Sequence, residues 1–351
     1  MKIGILGAGQ LAQLLTHSAY LLGVETLCFT PSREVPAARF SPLYLGDIRD
    51  TKALRGFAKC CDVITLENEN VASDTLSVLA HYKPVLPCQK AIKITQDRFY
   101  EKSFLRRLKI PTTRFVVIDS LTDLNEAIAS LGLPAILKTR RLGYDGKGQT
   151  LLYDNQAAAS AWDAIGHMPA ILEAYIPFDY EVSLIGARNR DGATAYYPLI
   201  KNTHEQGILR FSECPFINLR LQALAERYMQ TIFETLNYVG ILTIEFFVKD
   251  EQLIANELAP RVHNSGHLTL EGFNVSQFES HLRSILNLPL IKPVLVAPTK
   301  MINLIGTLPI LTAQDYQTAH IYYYGKASKP GRKLGHITHS IEVKPNDGKN
   351  H

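Results

Sequence analysis

TIEFFVKDEQLIANELAPRVHNSGH, residues 243–267, sets the architecture of the whole chain. It reads as two strands, carried by Ile244, Phe246, Phe247, Val248, Leu253 and Ile254 and joined by a polar turn at Lys249, Asp250 and Glu251. Arms this apolar are buried, and Glu245 and Glu257 sit inside them. A buried carboxylate is costly without a cation. With a three-residue turn, Glu245 faces Ala255 and Glu257 is its diagonal neighbour on the same face, roughly 7–8 Å away. A two-residue turn shifts the pairing by one. Acids converging from adjacent strands suit one or two Mg2+ ions beside nucleotide phosphates; a plain hairpin pairs each of them with lysine or arginine.

A chain of 351 residues has room for two or three domains. Its formal charge of +4 suits anionic small molecules, and it lacks the dense basic runs of a nucleic-acid binder. Cys28, Cys60, Cys61, Cys88 and Cys214 show no C-x-x-C spacing, so neither a disulfide framework nor a zinc site is expected. Reduced thiols fit a cytoplasmic protein. No apolar run approaches the ~18 residues that span a bilayer, and Lys2–Leu6 reads as a strand entering a glycine turn, not as a signal peptide.

Working outward to the N-terminus, KIGIL, VETLCF, LYLGD and DVITLE alternate with helical stretches, the pattern of a parallel sheet with helices on both faces. Gly7, Gly9 and Ala12 match a dinucleotide fingerprint, but Thr30, Pro31 and Ser32 follow the second strand where an acid is needed. The helix N-terminus there is expected to offer its N–H groups to some other anion. A helical pattern over 91–109 carries TQDRFYEKSFL and stops before Pro111. A strand at 114–118, a helix at 121–131 and the strand AILK then lead to TRRLGYDGKGQ. This glycine-rich loop lies between strands and is flanked by Lys138, Arg140, Arg141 and Lys147, as a phosphate lid is. Glu173 ends one apolar strand and Glu181 opens another, as ribose or amine acceptors or as surface residues. TAYYPLIK and ILRFSE are further strands, and 219–236 is an amphipathic helix. Lys326, Lys329, Arg332 and Lys333 crowd a Pro-Gly turn, either solvated or capturing a phosphate. Beyond Ile341 the polar tail is expected to fray.

GAGQLA, TQDR, GYDGKGQ, EVSLIGAR, HEQGILR, NELAPRVHNSGH, SQFESHLR and PGRKLGH together resemble the ATP-grasp superfamily over nearly the whole chain. Within it they are similar to the N5-carboxyaminoimidazole ribonucleotide synthetase family. The resemblance implies an α/β protein of ATP-grasp architecture in three parts. These are an N-terminal doubly wound parallel-sheet domain at 1–95, a two-lobed ATP-grasp domain at 96–290 and a small C-terminal β-rich domain at 291–351. The lid lobe would be 96–168 and the acidic hairpin lobe 169–290.

It also implies a site. Arg98 and Lys138 would contact ATP phosphates beneath a lid of Gly143, Tyr144, Asp145, Gly146, Lys147, Gly148 and Gln149. Glu173, Ala174, Tyr175 and Ile176 would line the adenine pocket, Glu181 would hold the ribose and His204 would reach the nucleotide. Glu245 and Glu257 would bind Mg2+, with Asn256 beside them. Gln10, Leu11, Glu67, Asn264, Lys326, Arg332 and Lys333 would bind 5-aminoimidazole ribonucleotide. Tyr144, Asp145, Arg261 and His263 would surround bicarbonate and the reacting amine, with Asp145 or His263 as the base. The implied reaction uses ATP to convert bicarbonate to carboxyphosphate; the amine then attacks that intermediate or the CO2 it releases. A cytoplasmic homodimer without nucleic-acid or membrane partners is implied as well. The alternatives are a formate-dependent glycinamide ribonucleotide transformylase, another ATP-grasp ligase, or a silent nucleotide-binding subunit. VHNSGH after Pro260-Arg261 favours the carboxylase.

Overall fold

The structure is a computed structural model that describes residues 1–143 and 146–342. It opens with β1 (Lys2–Leu6), α1 (Gln10–Leu21), β2 (Glu25–Thr30), β3 (Leu43–Leu45), α2 (Thr51–Lys59), β4 (Val63–Leu66) and α3 (Ser73–Tyr82). The four strands form one parallel sheet in the order β3-β2-β1-β4. That is half of a doubly wound fold, as the βα alternation predicts.

The single helix expected over 91–109 is two, α4 (Gln89–Thr95) and α5 (Arg98–Arg107). Asp97 breaks it: its backbone is extended at φ −136°, and its carboxylate accepts the Phe99 N–H at 3.0 Å as the N-cap of a new helix. The lid lobe follows with β5 (Phe115–Ile118), α6 (Leu121–Leu131), β6 (Ala135–Thr139), β7 (Gln149–Leu152), α7 (Ala158–Ala164) and β8 (Ala170–Ala174). Its antiparallel sheet runs β5-β8-β6-β7 over a core of its own, with Leu124, Ile128, Leu137, Trp162 and Leu172 inside. β8 therefore belongs to the lid sheet and carries it past the expected boundary at residue 168.

The remaining strands share one nine-stranded sheet. They are β9 (Tyr180–Arg188), β10 (Thr194–Tyr196), β11 (Ile200–Glu205), β12 (Ile208–Cys214), β13 (Gly240–Lys249) and β14 (Gln252–Ala259). Pro198, which cannot donate to a ladder, splits the expected strand TAYYPLIK into β10 and β11. The helices are α8 (Leu219–Leu236), α9 (Thr269–Gly272) and α10 (Gln277–Leu286). After β15 (Thr299–Ile305), α11 (Ala313–Thr318), β16 (Ala319–Tyr323) and β17 (Lys333–Ser340) the chain leaves the sheet. The order is β14-β13-β9-β11-β12-β15-β17-β16, with β10 beside β9. The C-terminal β-rich region thus extends the sheet of the hairpin lobe. The tail residues 343–351, expected to fray, lie outside the described residues.

Alternation along β13 decides which side chains enter the site. Leu242, Ile244, Phe246 and Val248 face α8 and pack on Leu221, Ala225, Met229, Ile232 and Leu236, spaced as one helical stripe. Thr243, Glu245 and Phe247 face the other way, and there Phe247 stacks on Phe178 at 4.7 Å.

Candidate active site

The hairpin turn holds two residues. Lys249 pairs with Gln252, and Asp250 and Glu251 take left-handed φ values of 48° and 55°, as a two-residue hairpin turn requires. That register alone would set Glu245 opposite Asn256. A bulge restores the acids: Phe246 pairs with Ala255, yet Glu245 pairs with Glu257. Asn256 is the extra residue. The diagonal arrangement expected from a three-residue turn is therefore replaced by a direct pair, whose side chains are closer.

Glu245, Glu257 and His263 bring ligand atoms within 4.8 Å of one another. Glu245 Oε1 and the neighbouring Asn256 Oδ1 are buried and lack a hydrogen-bond partner among the described residues. Orphaned hard oxygens beside two carboxylates fit Mg2+. Burial and the charge of Glu257 push Glu245 up to about 7. Glu257 is held below the usual carboxylate range: burial opposes ionisation, but Arg98 and Lys138 outweigh it. His263 lies far below its ordinary value, through burial and the adjacent Arg261, so its ring is neutral. Its Nδ1 accepts the Ser265 N–H at 3.3 Å and contacts Ser265 Oγ at 2.9 Å, which leaves the ring proton on Nε2, 3.7 Å from Glu245 Oε1.

Arg98, at the first position of α5, reaches Glu257 at 3.4 Å. Lys138, near the end of β6, meets Glu173 on β8 at 2.7 Å, and Glu173 also takes Lys102 at 3.1 Å. These three side chains are almost wholly buried, and the two ammonium groups hold Glu173 down to about 2 against burial. The carboxylate expected at the adenine pocket is thus committed to lysines. Lys102 escaped the sequence reading; its signal is the helical spacing that puts Arg98, Glu101, Lys102 and Leu105 on one face. Ala174 ends β8, Tyr175 and Ile176 begin the connection toward β9, and Tyr175 is exposed. Glu181 binds His204 Nδ1 at 2.7 Å. Burial alone lowers His204, but the bond to Glu181 and the charge of Glu245 raise it to about 9.

The lid is anchored at its base. Asp97 accepts both Arg140 Nε at 3.1 Å and Arg140 Nη2 at 2.9 Å, and Arg141 Nε at 3.3 Å. Gly143, Gly146, Lys147 and Gly148 lie between β6 and β7, Gln149 opens β7 opposite Lys138, and Gly148 O accepts the Thr139 N–H at 2.8 Å. Gly146 rests on the β11–β12 turn: a Cβ there would sit 2.6 Å from Gln206 O. Tyr144 and Asp145, expected at the reaction centre, lie outside the described residues.

On the opposite side, the N-terminus of α1, expected to offer its N–H groups to some anion, meets a side chain of this chain. Glu67 accepts the Gly9 N–H at 2.7 Å and the Ala12 N–H at 3.0 Å. Leu11 packs against the core, and Gln10 accepts a hydrogen bond from Lys326. Gln10, Lys147, Lys326, Lys329, Arg332 and Lys333 line a cavity of about 420 Å³. Five cations around one cavity suit a phosphate. Asn264 is buried, and neither of its amide atoms has a partner among the described residues. Arg261 is gripped through Nε and Nη2 by both oxygens of Glu69, the latter at 3.0 Å. Glu69 was missed because two acids in LENEN are indistinguishable until β4 ends at Leu66.

Family models match in three blocks: the ribonucleotide synthetase preATP-grasp domain over 1–96, the ATP-grasp domain over 103–278 and the phosphoribosylaminoimidazole carboxylase C-terminal domain over 299–343. The chain is 44% identical over 339 residues to the N5-carboxyaminoimidazole ribonucleotide synthase of Pseudomonas aeruginosa, covering 96% of this chain and 94% of that protein. The crystal structure of the Thermus thermophilus synthetase superimposes with a TM-score of 0.91 at 44% identity, over 97% of this chain and 93% of that one. The Aspergillus clavatus enzyme, solved with ADP and 5-aminoimidazole ribonucleotide, gives a TM-score of 0.89 at 30% identity over the same shares, 97% and 93%. Among the described residues no helix is long and apolar enough to cross a membrane. By these matches over nearly its whole length, the chain belongs to the N5-carboxyaminoimidazole ribonucleotide synthase family of ATP-grasp enzymes.

Proposed function

We infer that the chain catalyses ATP-dependent carboxylation of 5-aminoimidazole ribonucleotide to N5-carboxyaminoimidazole ribonucleotide, a carbon–nitrogen ligation of purine biosynthesis. Bicarbonate is the one-carbon donor in this reading, Mg2+ the ion at Glu245 and Glu257, and a cytoplasmic homodimer the working form. The observation that carries it is the direct opposition of Glu245 and Glu257 beside Arg98, with Lys138 in reach of the same charges.

Bicarbonate is a poor electrophile until one oxygen becomes phosphate, and attack on the γ-phosphorus gathers negative charge in the transition state. Mg2+, when bound, supplies Lewis-acid neutralisation of the phosphate oxygens. Arg98 adds positive charge from a half-buried position and Lys138 from a buried one. Carboxyphosphate is short-lived in water, so a lid seated on the β11–β12 turn protects it. Arg261 has one edge committed to Glu69 and its Nη1 also donates to Val262 O at 3.2 Å; in this reading the N–H groups that are left serve the anion. His263, neutral with its proton on Nε2, donates a hydrogen bond to the developing charge; that tautomer favours Asp145 as the base. Lys326, Arg332 and Lys333 take the ribonucleotide phosphate.

ADP release measured with 5-aminoimidazole ribonucleotide and bicarbonate, and again with glycinamide ribonucleotide and formate, tests the assignment. Turnover is expected with the first pair. Turnover only with the second would move the chain to the formate-dependent sibling.

A further inference from the structure

Glu245 and Glu257 stand opposite each other only because β14 carries one residue more than β13 at that point. β14 is the outer strand of its sheet, and a bulge on an outer strand has no ladder beyond it to hold its shape. Here that side is held by α5 and the segment after it. Pro111 O accepts the Ala255 N–H at 2.7 Å, and Thr112 Oγ1 donates to Ala255 O at 2.8 Å. Lys102 Nζ donates to the carbonyl of Asn256, the bulged residue, at 3.0 Å. Glu101 Oε1 accepts the Leu258 N–H at 2.7 Å. Two adjacent side chains of one helical turn thus grip the backbone on either side of Glu257. Lys102 is 0% and Glu101 2% exposed. Ionisable groups this deep are costly, and burial pushes the Glu101 carboxyl up to about 8; apolar residues of the same volume would cover the strand without satisfying its polar atoms. Lys102 also shares Glu173 with Lys138, so it reaches the acidic pair by one route and the phosphate-facing lysine by another.

We propose that Glu101 and Lys102 are positioning residues: they clamp the Asn256 bulge that sets Glu257 against Glu245, and Lys102 also aims Lys138 through their common Glu173. The proposal rests on the reading of the two acids as Mg2+ ligands. Such supporting contacts typically change metal affinity by 10–100-fold.

The test follows ADP formation by the full chain, with 5-aminoimidazole ribonucleotide and bicarbonate, as Mg2+ is titrated. Lys102→Met and Glu101→Met are each expected to raise the Mg2+ concentration for half-maximal turnover by about tenfold or more. The KM for the ribonucleotide stays within about twofold in both variants, because its phosphate cavity shares none of these contacts. Glu101→Gln keeps an oxygen for the Leu258 N–H and is expected to restore nearly normal Mg2+ dependence, which a merely structural loss would not. Should Lys102→Met fail to fold, the two Glu101 variants decide. Glu257→Gln is run alongside. Full turnover in Glu257→Gln sinks the metal reading itself. Loss in Glu257→Gln, with unshifted Mg2+ dependence in folded Lys102→Met or Glu101→Met, overturns the positioning role alone.

Discussion

Glu257 keeps its charge in a part-buried site because Arg98 and Lys138 outweigh the loss of water, while Glu245 beside it is pushed up to about 7. A cation between them removes that conflict, and this is the physical case for Mg2+. Glu257→Gln is expected to lower ADP formation by at least about 100-fold, since a lost metal ligand removes several kcal/mol of transition-state stabilisation. Circular dichroism should show the fold intact. Unchanged turnover at millimolar Mg2+ defeats the metal assignment. Arg332 lines the basic cavity and its Nη1 donates to Ala327 O at 3.2 Å. Arg332→Ala is expected mainly to raise the KM for the ribonucleotide, as a charge-assisted phosphate contact contributes about 1.5–3 kcal/mol. Impaired ATP binding with a normal ribonucleotide KM would show that the cavity serves the other substrate.

The lid is an element whose motion follows from its packing. Its sheet and two helices enclose a separate core, so it can move as a body without opening the core beneath α8. The closed position depends on contact without side chains, between Gly146 and the turn at Gln206 and Gly207. Gly146 has φ +76°, so Gly146→Ala adds both a clash and left-handed strain of about 1–2 kcal/mol. Turnover is expected to fall, and more than one ADP should form per carboxylated product as carboxyphosphate escapes to water. A ratio of one, with normal turnover, would remove this glycine from the closing mechanism. Deleting Gly146–Lys147–Gly148 is expected to abolish turnover altogether.

Across the whole molecule, the N-terminal sheet, the large sheet and the C-terminal strands share one core, in which Ile5 and Leu15 join a cluster with Phe278 and Met301. His281 on α10 pins this joint: Thr65 on β4 meets its Nε2 at 2.8 Å, and the Ile241 N–H donates to its Nδ1 at 3.1 Å. Burial lowers its pKa from 6.5 to about 4. Between those values the unfolded chain takes up the proton and the folded one does not, so stability is full above pH 6.5 and falls as pH drops toward 4. From pH 7 to pH 5 the share of His281 in the loss is expected to be about 2 kcal/mol, added to that of the other buried histidines with lowered pKa values, His263, His267 and His336, and read from urea unfolding. His281→Gln should reduce the slope by that share; an unchanged slope would assign the acid sensitivity to the others.

Much of this was legible in residue order. Alternation of βα units, the strand pattern around Glu245 and Glu257, and the glycines between two strands follow from periodicity and from φ constraints, which are local. Other features needed distant partners. A one-residue bulge cannot be read from β14 alone, because Pro111, Thr112, Lys102 and Glu101 hold it from more than a hundred residues away. Glu69 and Glu67 look alike along the chain, yet one grips Arg261 and the other fills the end of α1. The C-terminal strands read as a small β-rich domain and match a domain model of their own over 299–343; that β15 pairs with β12 and so continues the hairpin sheet is visible only in three dimensions. Local preference names the elements and most of the charged groups. Which carboxylate meets which cation is settled by long-range packing, where burial makes an unpaired charge too costly to keep.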